Sequence, residues 1–219
     1  MLSCYNISKI YKIGIQNIKA INNITLNFNK GIHMITGKSG SGKTTLLKVL
    51  GGICKPDVGE VRFENQNIYV QDENWQAELR SKKFSFIFQF FQLIPEYNVY
   101  DNIALPLYIR KEKNVEKKIR DIAEQLSIKK LLNRMPMELS GGQQQRVAIG
   151  RSLVSEAQVI FADEPTGNLD RKTSIEIMSI FEKLKKDKII IIVTHDLQLL
   201  EYADYVYDIE DGEIQRRIC

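Results

Sequence analysis

Gly37-Lys38-Ser39-Gly40-Ser41-Gly42-Lys43-Thr44-Thr45 is the stretch that decides the reading of this chain. From Gly37 to Thr44 it satisfies the phosphate-loop pattern, a glycine followed after four residues by Gly-Lys-Thr. Glycines let the backbone turn until successive N–H groups converge on one phosphate. Lys43 then offers a point charge to the β- and γ-phosphates, and the Thr44 hydroxyl is placed to ligate Mg²⁺. Upstream, Ile32-His33-Met34-Ile35-Thr36 reads as a short buried strand. Downstream, Thr45–Leu50 has helical composition and stops at Gly51-Gly52. Strand, loop and helix in this order aim a positive helix N-terminus at an anion. A flexible glycine linker would not need those neighbours, so the stretch is a nucleotide phosphate site.

Working outward, the sequence before the loop alternates. Ile24, Leu26 and Phe28 share one face, which makes a half-buried strand. Leu2–Ile7 is its expected partner, with Val61–Phe63 and Ile68–Val70 flanking a turn at Asn65-Gln66-Asn67. These elements predict a small antiparallel layer. Tyr11 lies between the first two strands and taken alone is a half-exposed packing aromatic. After the loop, Lys83–Leu93 reads as a buried strand carrying one polar residue, Gln89, which must find a backbone or ligand partner. Trp75 sits in a polar stretch, Gln71–Ala77, expected at the surface with one packed aromatic. Asn114–Asn133 has helical periodicity, and its lysines read as a solvated face.

Two further apolar runs end abruptly in polar residues. Val159-Ile160-Phe161-Ala162 meets Asp163-Glu164-Pro165, and Lys188–Thr194 meets His195-Asp196. Both suit central parallel strands buried on two faces, with an amphipathic helix over Lys172–Lys186 between them. The fold class is therefore α/β, a P-loop NTPase core with a mostly parallel sheet, a small antiparallel β layer and an inserted helical subdomain. Residues 1–91 and 156–219 form the expected core and 92–155 the helical insert. Ligands of such sheets sit at the carboxyl ends of the strands, so the phosphate loop, Gln89, Asp163, Glu164 and His195 are expected to meet. Two acids after four apolar residues favour a metal ligand and a base over a strand cap and a surface acid. His195 could equally cap the following helix, and His33, inside a strand, reads as structural.

Leu139-Ser140-Gly141-Gly142-Gln143 opens a second helix-like stretch, with N–H donors and a hydroxyl at its start. One nucleotide has one γ-phosphate, so this second anion device needs an explanation. At this point the sequence resembles the ATP-binding subunits of ABC transporters over nearly its whole length. Gly37–Thr44 looks like Walker A, Gln89 like the Q-loop glutamine and Leu139–Gln143 like the signature motif. Val159–Asp163 with Glu164 is similar to Walker B and its catalytic glutamate, Gly167–Asp170 to the D-loop, and His195 to the switch histidine. The run Ala162–Asp170 is most similar to the macrolide, lipoprotein-releasing and antimicrobial-peptide branch.

The resemblance implies a head-to-tail homodimer. ATP and Mg²⁺ would be held by Gly37, Lys38, Ser39, Gly40, Ser41, Gly42, Lys43, Thr44 and Thr45, with Tyr11 stacked on adenine. Thr44, Gln89 and Asp163 would serve the metal, and Glu164 and His195 hydrolysis. Ser140, Gly141, Gly142 and Gln143 would cap the partner's ATP, and Asp170 would couple the two sites. It also implies a separate integral membrane permease, docked near Phe90, Phe91, Leu93, Ile94, Tyr97, Ile103 and Leu105. Ser152, where a small apolar residue is usual, and Ile32-His33, where an acid often precedes the strand, depart from the family pattern.

Composition fits this reading. The 219 residues are 43% hydrophobic and 26% charged with a formal charge of +4, enough for an anionic ligand but too mild for a nucleic-acid binder. Cys4, Cys54 and Cys219 are isolated and read as reduced thiols. No apolar run approaches the ~18 residues of a membrane span, and the first residues lack a signal-peptide pattern. The expected location is cytoplasmic, at the inner face of the cell membrane, through peripheral association with the permease. No regulatory domain is expected after His195. The alternative function is a non-transporting ATPase giving mechanical input to a membrane partner. A DNA- or ribosome-directed ATPase and a small-molecule kinase fit the single cassette and Ser140–Gln143 less well.

Overall fold

The computed structural model describes residues 1–218, leaving aside the side chains of Ile13, Arg217 and Ile218. Cys219, one of the three expected thiols, lies outside them. Four strands, β1 (Leu2–Ile13), β2 (Gln16–Phe28), β4 (Val58–Phe63) and β5 (Gln66–Asn67), make an antiparallel sheet in the order β2-β1-β4-β5. The larger sheet holds β3 (Gly31–Thr36), β6 (Phe84–Ile87), β7 (Val159–Asp163), β8 (Ile189–Val193), β9 (Tyr205–Glu210) and β10 (Glu213–Ile218). Its order is β10-β9-β3-β8-β7-β6. Every neighbouring pair in it is parallel except β9 with β10.

The uninterrupted apolar runs follow from covering both faces of this sheet. Side chains alternate along each strand. Ile190 and Ile192 join Ile160, Ala162, Ile32 and Met34 in one core, completed by helices α3 (Val99–Ile109), α4 (Glu116–Gln125), α5 (Gly141–Leu153) and α6 (Arg171–Leu184). Ile189, Ile191 and Val193 join Val159, Phe161 and Ile35 in the other, against α1 (Lys43–Leu50) and the antiparallel sheet. Helix α1 is thus sandwiched between the two sheets. Its N-terminus lies at the carboxyl end of β3.

Several boundaries differ from the sequence reading. The turn after β4 falls at Glu64-Asn65, whose φ values of 49° and 67° build a two-residue hairpin, so the return strand is Gln66–Asn67 and not Ile68–Val70. Beyond it the Tyr69 hydroxyl bonds the Val49 and Cys54 carbonyls at 2.6 and 2.7 Å, and Val70 turns outward. Gln71–Ala77 is largely helical, part of α2 (Glu73–Lys82), capped by Asp72, with Trp75 packed on the core beneath. The strand expected over Lys83–Leu93 ends at Ile87, where its pairing with β7 ends. Phe91 and Gln92 adopt φ of 56° and 46°, and their carbonyls accept from Arg151.

The helix expected over Asn114–Asn133 stops at Gln125. Ser127 takes φ 58°, with Ile128 N–H bonded to Ala123 O and Ser127 N–H to Glu124 O, a Schellman stop without a glycine. The C-terminal hairpin β9–β10 was not anticipated. It turns on Asp211-Gly212, and Gly212 donates to Ser41 O at 3.0 Å while its own carbonyl accepts from Asn22 N–H. The missed hairpin therefore braces the phosphate loop.

His33 behaves as a core residue. It stacks on Tyr205 at 4.6 Å and bonds the Tyr207 hydroxyl and the Asn29 carbonyl, and burial foremost lowers its pKa. Ser152 finds a reason in a buried hydroxyl pair with Ser85 at 2.5 Å. Ile103, named above for docking, is fully buried in the core, whereas Phe90 is 74% exposed.

Candidate nucleotide site

The phosphate loop links β3 to α1. Gly42, the N-cap of α1, has φ 105°, and a Cβ there would lie 2.0 Å from Ala20 O, so only glycine fits between the loop and β2. No acidic residue occupies the first turn of α1, which leaves its N-terminal amides available to an anion. Lys43 Nζ donates to the Gly37 and Lys38 carbonyls at 2.7 and 2.8 Å and is therefore held over the loop.

An open cleft of about 580 Å³ is lined by Ser39, Gly40, Gly42, Lys43, Thr44, Thr45, Gln89, Asp163, Glu164, Val193 and His195. The carboxyl ends of β3, β6, β7 and β8 thus bring together the residues expected to meet. Thr44 Oγ1 donates to Asp163 Oδ1 at 3.1 Å. Burial foremost raises the Asp163 carboxyl above its ordinary pKa, with Glu164 adding to it, against the Thr44 hydroxyl. Asn168 Nδ2 donates to Gln89 O at 3.3 Å, tying the turn after β7 to the loop after β6.

Glu164 follows β7 in a left-handed conformation, φ 50°, its N–H bonded to Val193 O and its carbonyl to Gly167 N–H. Its Oε1 accepts from His195 Nδ1 at 2.9 Å. A carboxylate can only accept, so this contact puts the proton on Nδ1 and leaves Nε2 as the outward ring nitrogen. Glu164 Oε2 is buried, with no hydrogen-bond partner among the described residues.

Tyr11 stands on β1, 38% exposed, with Lys9 5.8 Å from its ring and Cys54 Sγ 3.7 Å from its hydroxyl. Burial foremost raises the pKa of that hydroxyl. The Thr45 hydroxyl beside it pulls the other way, so Tyr11 adjoins the cleft through Thr45.

Ser140–Gln143 does not line the cleft. Ser140 caps α5, its Oγ accepting from Gln143 N–H at 3.4 Å while Gln143 Oε1 accepts from Ser140 N–H at 3.0 Å. Asp170 caps α6, accepting from the Thr173 hydroxyl at 2.7 Å and its N–H at 3.0 Å. Those bonds hold its carboxyl below the ordinary range. The role of Asn168 was not legible beforehand, since nothing in a residue type announces a bond to a backbone carbonyl.

With a P-loop cleft and a separate capped anion device, the fold and site define a nucleotide-binding cassette. Residues 21–167 match the ABC transporter family. The lipoprotein-releasing system ATP-binding protein LolD of Buchnera aphidicola is 38% identical over 219 residues, covering 98% of this chain and 96% of that protein. LolD of Francisella tularensis subsp. holarctica is 40% identical over 226 residues, with 98% and 96% covered. MJ0796 of Methanocaldococcus jannaschii, an uncharacterized ABC transporter ATP-binding protein, is 38% identical over 225 residues, with 99% and 96% covered. The dimeric structure of MJ0796 superposes with a TM-score of 0.92 at 36% identity, covering 100% of this chain and 98% of that one. Another MJ0796 structure, a dimeric post-hydrolysis state bound to ADP and Pi, gives 0.91.

The chain belongs to the ABC transporter family, in the branch to which its Ala162–Asp170 run pointed. It is an ATP-binding subunit of that family and an ATPase. No helix among the described residues is long and apolar enough to cross a membrane.

Proposed function

We propose that this chain works as a head-to-tail homodimer that hydrolyses ATP to drive a separate membrane permease, exporting a lipoprotein, peptide or other lipid-like cargo. The observation that carries the reading is the division of one ATP site between two surfaces of the chain. The cleft presents Ser39, Gly40, Gly42–Thr45, Gln89, Asp163, Glu164 and His195, while the capped N-terminus of α5 stands outside it. A second copy turned head to tail brings its Ser140, Gly141, Gly142 and Gln143 onto the open side of the cleft, and Asp170 beside them lies at the seam. Residues 1–91 and 156–219 then act as the core and 92–155 as the moving helical part, with exposed Phe90 near the permease contact.

In this reading the amides of Gly37–Thr45 and Lys43 hold the phosphates, and Tyr11 stacks on the base. The donor set suits a hard cation. Thr44 and Asp163 already touch at 3.1 Å, and Gln89 lines the same cleft. Magnesium bound with ATP would neutralise charge on the terminal phosphates, held by Thr44, Asp163 and Gln89. Glu164 lines the cleft, and its Oε2, buried and without a hydrogen-bond partner among the described residues, is free to accept from a water. This supports Glu164 as the residue that orients and deprotonates the nucleophile. His195 keeps its Nδ1–H on Glu164 and contacts the γ-phosphate as a donor through Nε2–H when the ring carries both protons, so catalysis is positioning plus charge stabilisation. Similarity to LolD supports the lipoprotein-class cargo and the location at the inner face of the cell membrane.

Glu164→Gln tests the reading. The variant is expected to bind ATP, stall hydrolysis and elute as a dimer on gel filtration with ATP and Mg²⁺. A monomer under those conditions, or wild-type turnover, would refute it.

A further inference from the structure

Three consecutive polar residues open the body of α5, and each holds a different piece of backbone. Gln144 Nε2 donates to the Pro136 and Leu139 carbonyls, and Arg146 donates to Leu126 O. Gln145, between them, is fully buried, and its Nε2 donates to Pro165 O at 2.6 Å. The opposite amide orientation would set two acceptors 2.6 Å apart, so the donor assignment is forced by charge.

Gln145 Oε1 has no hydrogen-bond partner among the described residues. A buried unpaired acceptor destabilises, so an apolar side chain of the same length would suit packing better than this amide. The glutamine therefore earns its place through what its Nε2 holds. Pro165 is the residue after Glu164, whose left-handed backbone is already fixed on either side by Val193 O and Gly167 N–H. The bond from Gln145 adds a third point of attachment, and it is the one that comes from α5.

We propose that Gln145 is a positioning residue for Glu164, making the placement of that carboxylate depend on the position of α5. The helix starts at Ser140, about one and a half turns from Gln145. A shift of Ser140–Gln143 as they meet the partner's triphosphate is carried along a rigid helix to Gln145, then to Pro165 and Glu164. Each chain thus senses capping of its partner's nucleotide and answers by setting its own hydrolytic group. The inference rests on the dimer and on the role of Glu164 proposed above.

The test compares full-length wild type, Gln145→Leu, Glu164→Gln and the double variant. Steady-state ATP turnover and MgATP affinity are measured alongside thermal melting. Gln145→Leu is expected to keep ATP affinity and KM within about twofold and to lose about tenfold in kcat. It should add no further loss in the Glu164→Gln background. Gln145→Glu keeps the shape and replaces the donor, so it serves the same comparison if the leucine variant does not fold. Wild-type kcat in the folded variant overturns the proposal. So does a loss that multiplies with Glu164→Gln, because the two residues would then act independently. Wild-type turnover in Glu164→Gln alone would remove the reading of Glu164 and this inference together, whereas the other two failures leave that reading standing.

Discussion

Two glycines of the phosphate loop share a backbone problem but not a steric one, and this separates two effects usually measured together. Gly40 has φ 81° with nothing within 4 Å of a would-be Cβ, whereas Gly42 has φ 105° with Ala20 O only 2.0 Å from it. Gly40→Ala should lose only the conformational term, about 1–2 kcal/mol for an L-residue on the left-handed side. Gly42→Ala carries a similar term and also collides with backbone in β2, which cannot rotate away. Relief requires the loop and β2 to part, at the place where Gly212 N–H bonds Ser41 O and Asn22 N–H bonds Gly212 O. Losing those two bonds adds about 1–3 kcal/mol. For a chain of this size each kcal/mol moves the melting temperature by roughly 2–4 °C. Gly42→Ala should therefore melt about 2–12 °C below Gly40→Ala, read by circular dichroism without nucleotide. Equal melting temperatures would refute the steric argument.

Lys43→Ala removes the ammonium poised on the Gly37 and Lys38 carbonyls. Calorimetry should show MgATP affinity falling by at least ~100-fold, the equivalent of one or two charge-assisted hydrogen bonds, and unchanged affinity would remove Lys43 from the cradle. Asp204 supplies a pH test away from the cleft. Burial opposes its ionisation, but Ile32 N–H at 2.8 Å and Lys185 at 2.9 Å outweigh burial and hold its pKa below 3.8. A depressed carboxyl stabilises the fold above its unfolded pKa and loses that effect as pH falls through the folded one. Melting of Asp204→Asn should accordingly trail wild type at pH 7 and converge with it below the ordinary carboxylate range. A constant gap at every pH would contradict the assignment.

The central strands were legible because burial on two faces writes itself as an unbroken apolar run. Ile189–Val193 admits no competing helix at that length, and the acids after Ala162 mark a strand end. What escaped reading was local chain reversal without its usual residues. Ser127 ends α4 in a conformation normally left to glycine, and its stop is visible only as two backbone bonds. Ile68 is apolar and buried as a strand residue would be, and its N–H still bonds Val61 O at 2.9 Å, but the chain leaves β4 there and the Tyr69 hydroxyl bonds the Val49 and Cys54 carbonyls instead. The hairpin over β9 and β10 did carry a signal, Asp211-Gly212, but its return strand is mostly polar and lacks alternation to support the turn. The candidate site was more legible than the fold around it. Its residues must carry particular chemistry, so their types are constrained even where the surrounding backbone is not.

The two ends of the cleft are built on different principles. Lys43 is held by carbonyls five and six residues before it, so the phosphate cradle is complete within one loop and its flanking helix. Glu164 draws its support from β8 through Val193, from its own turn through Gly167 and, at the next residue, from α5 through Gln145. Its conformation is one that β-strands do not favour, and it persists because several elements determine it jointly. Nucleotide capture can therefore proceed on a single chain with local geometry already set. With Glu164 as the proposed hydrolytic group, hydrolysis would depend on where distant elements stand, and one of them begins in the Ser140–Gln143 cap that a neighbouring copy would engage. In the proposed dimer, a chain arranged in this way binds first and cuts only when the assembly closes.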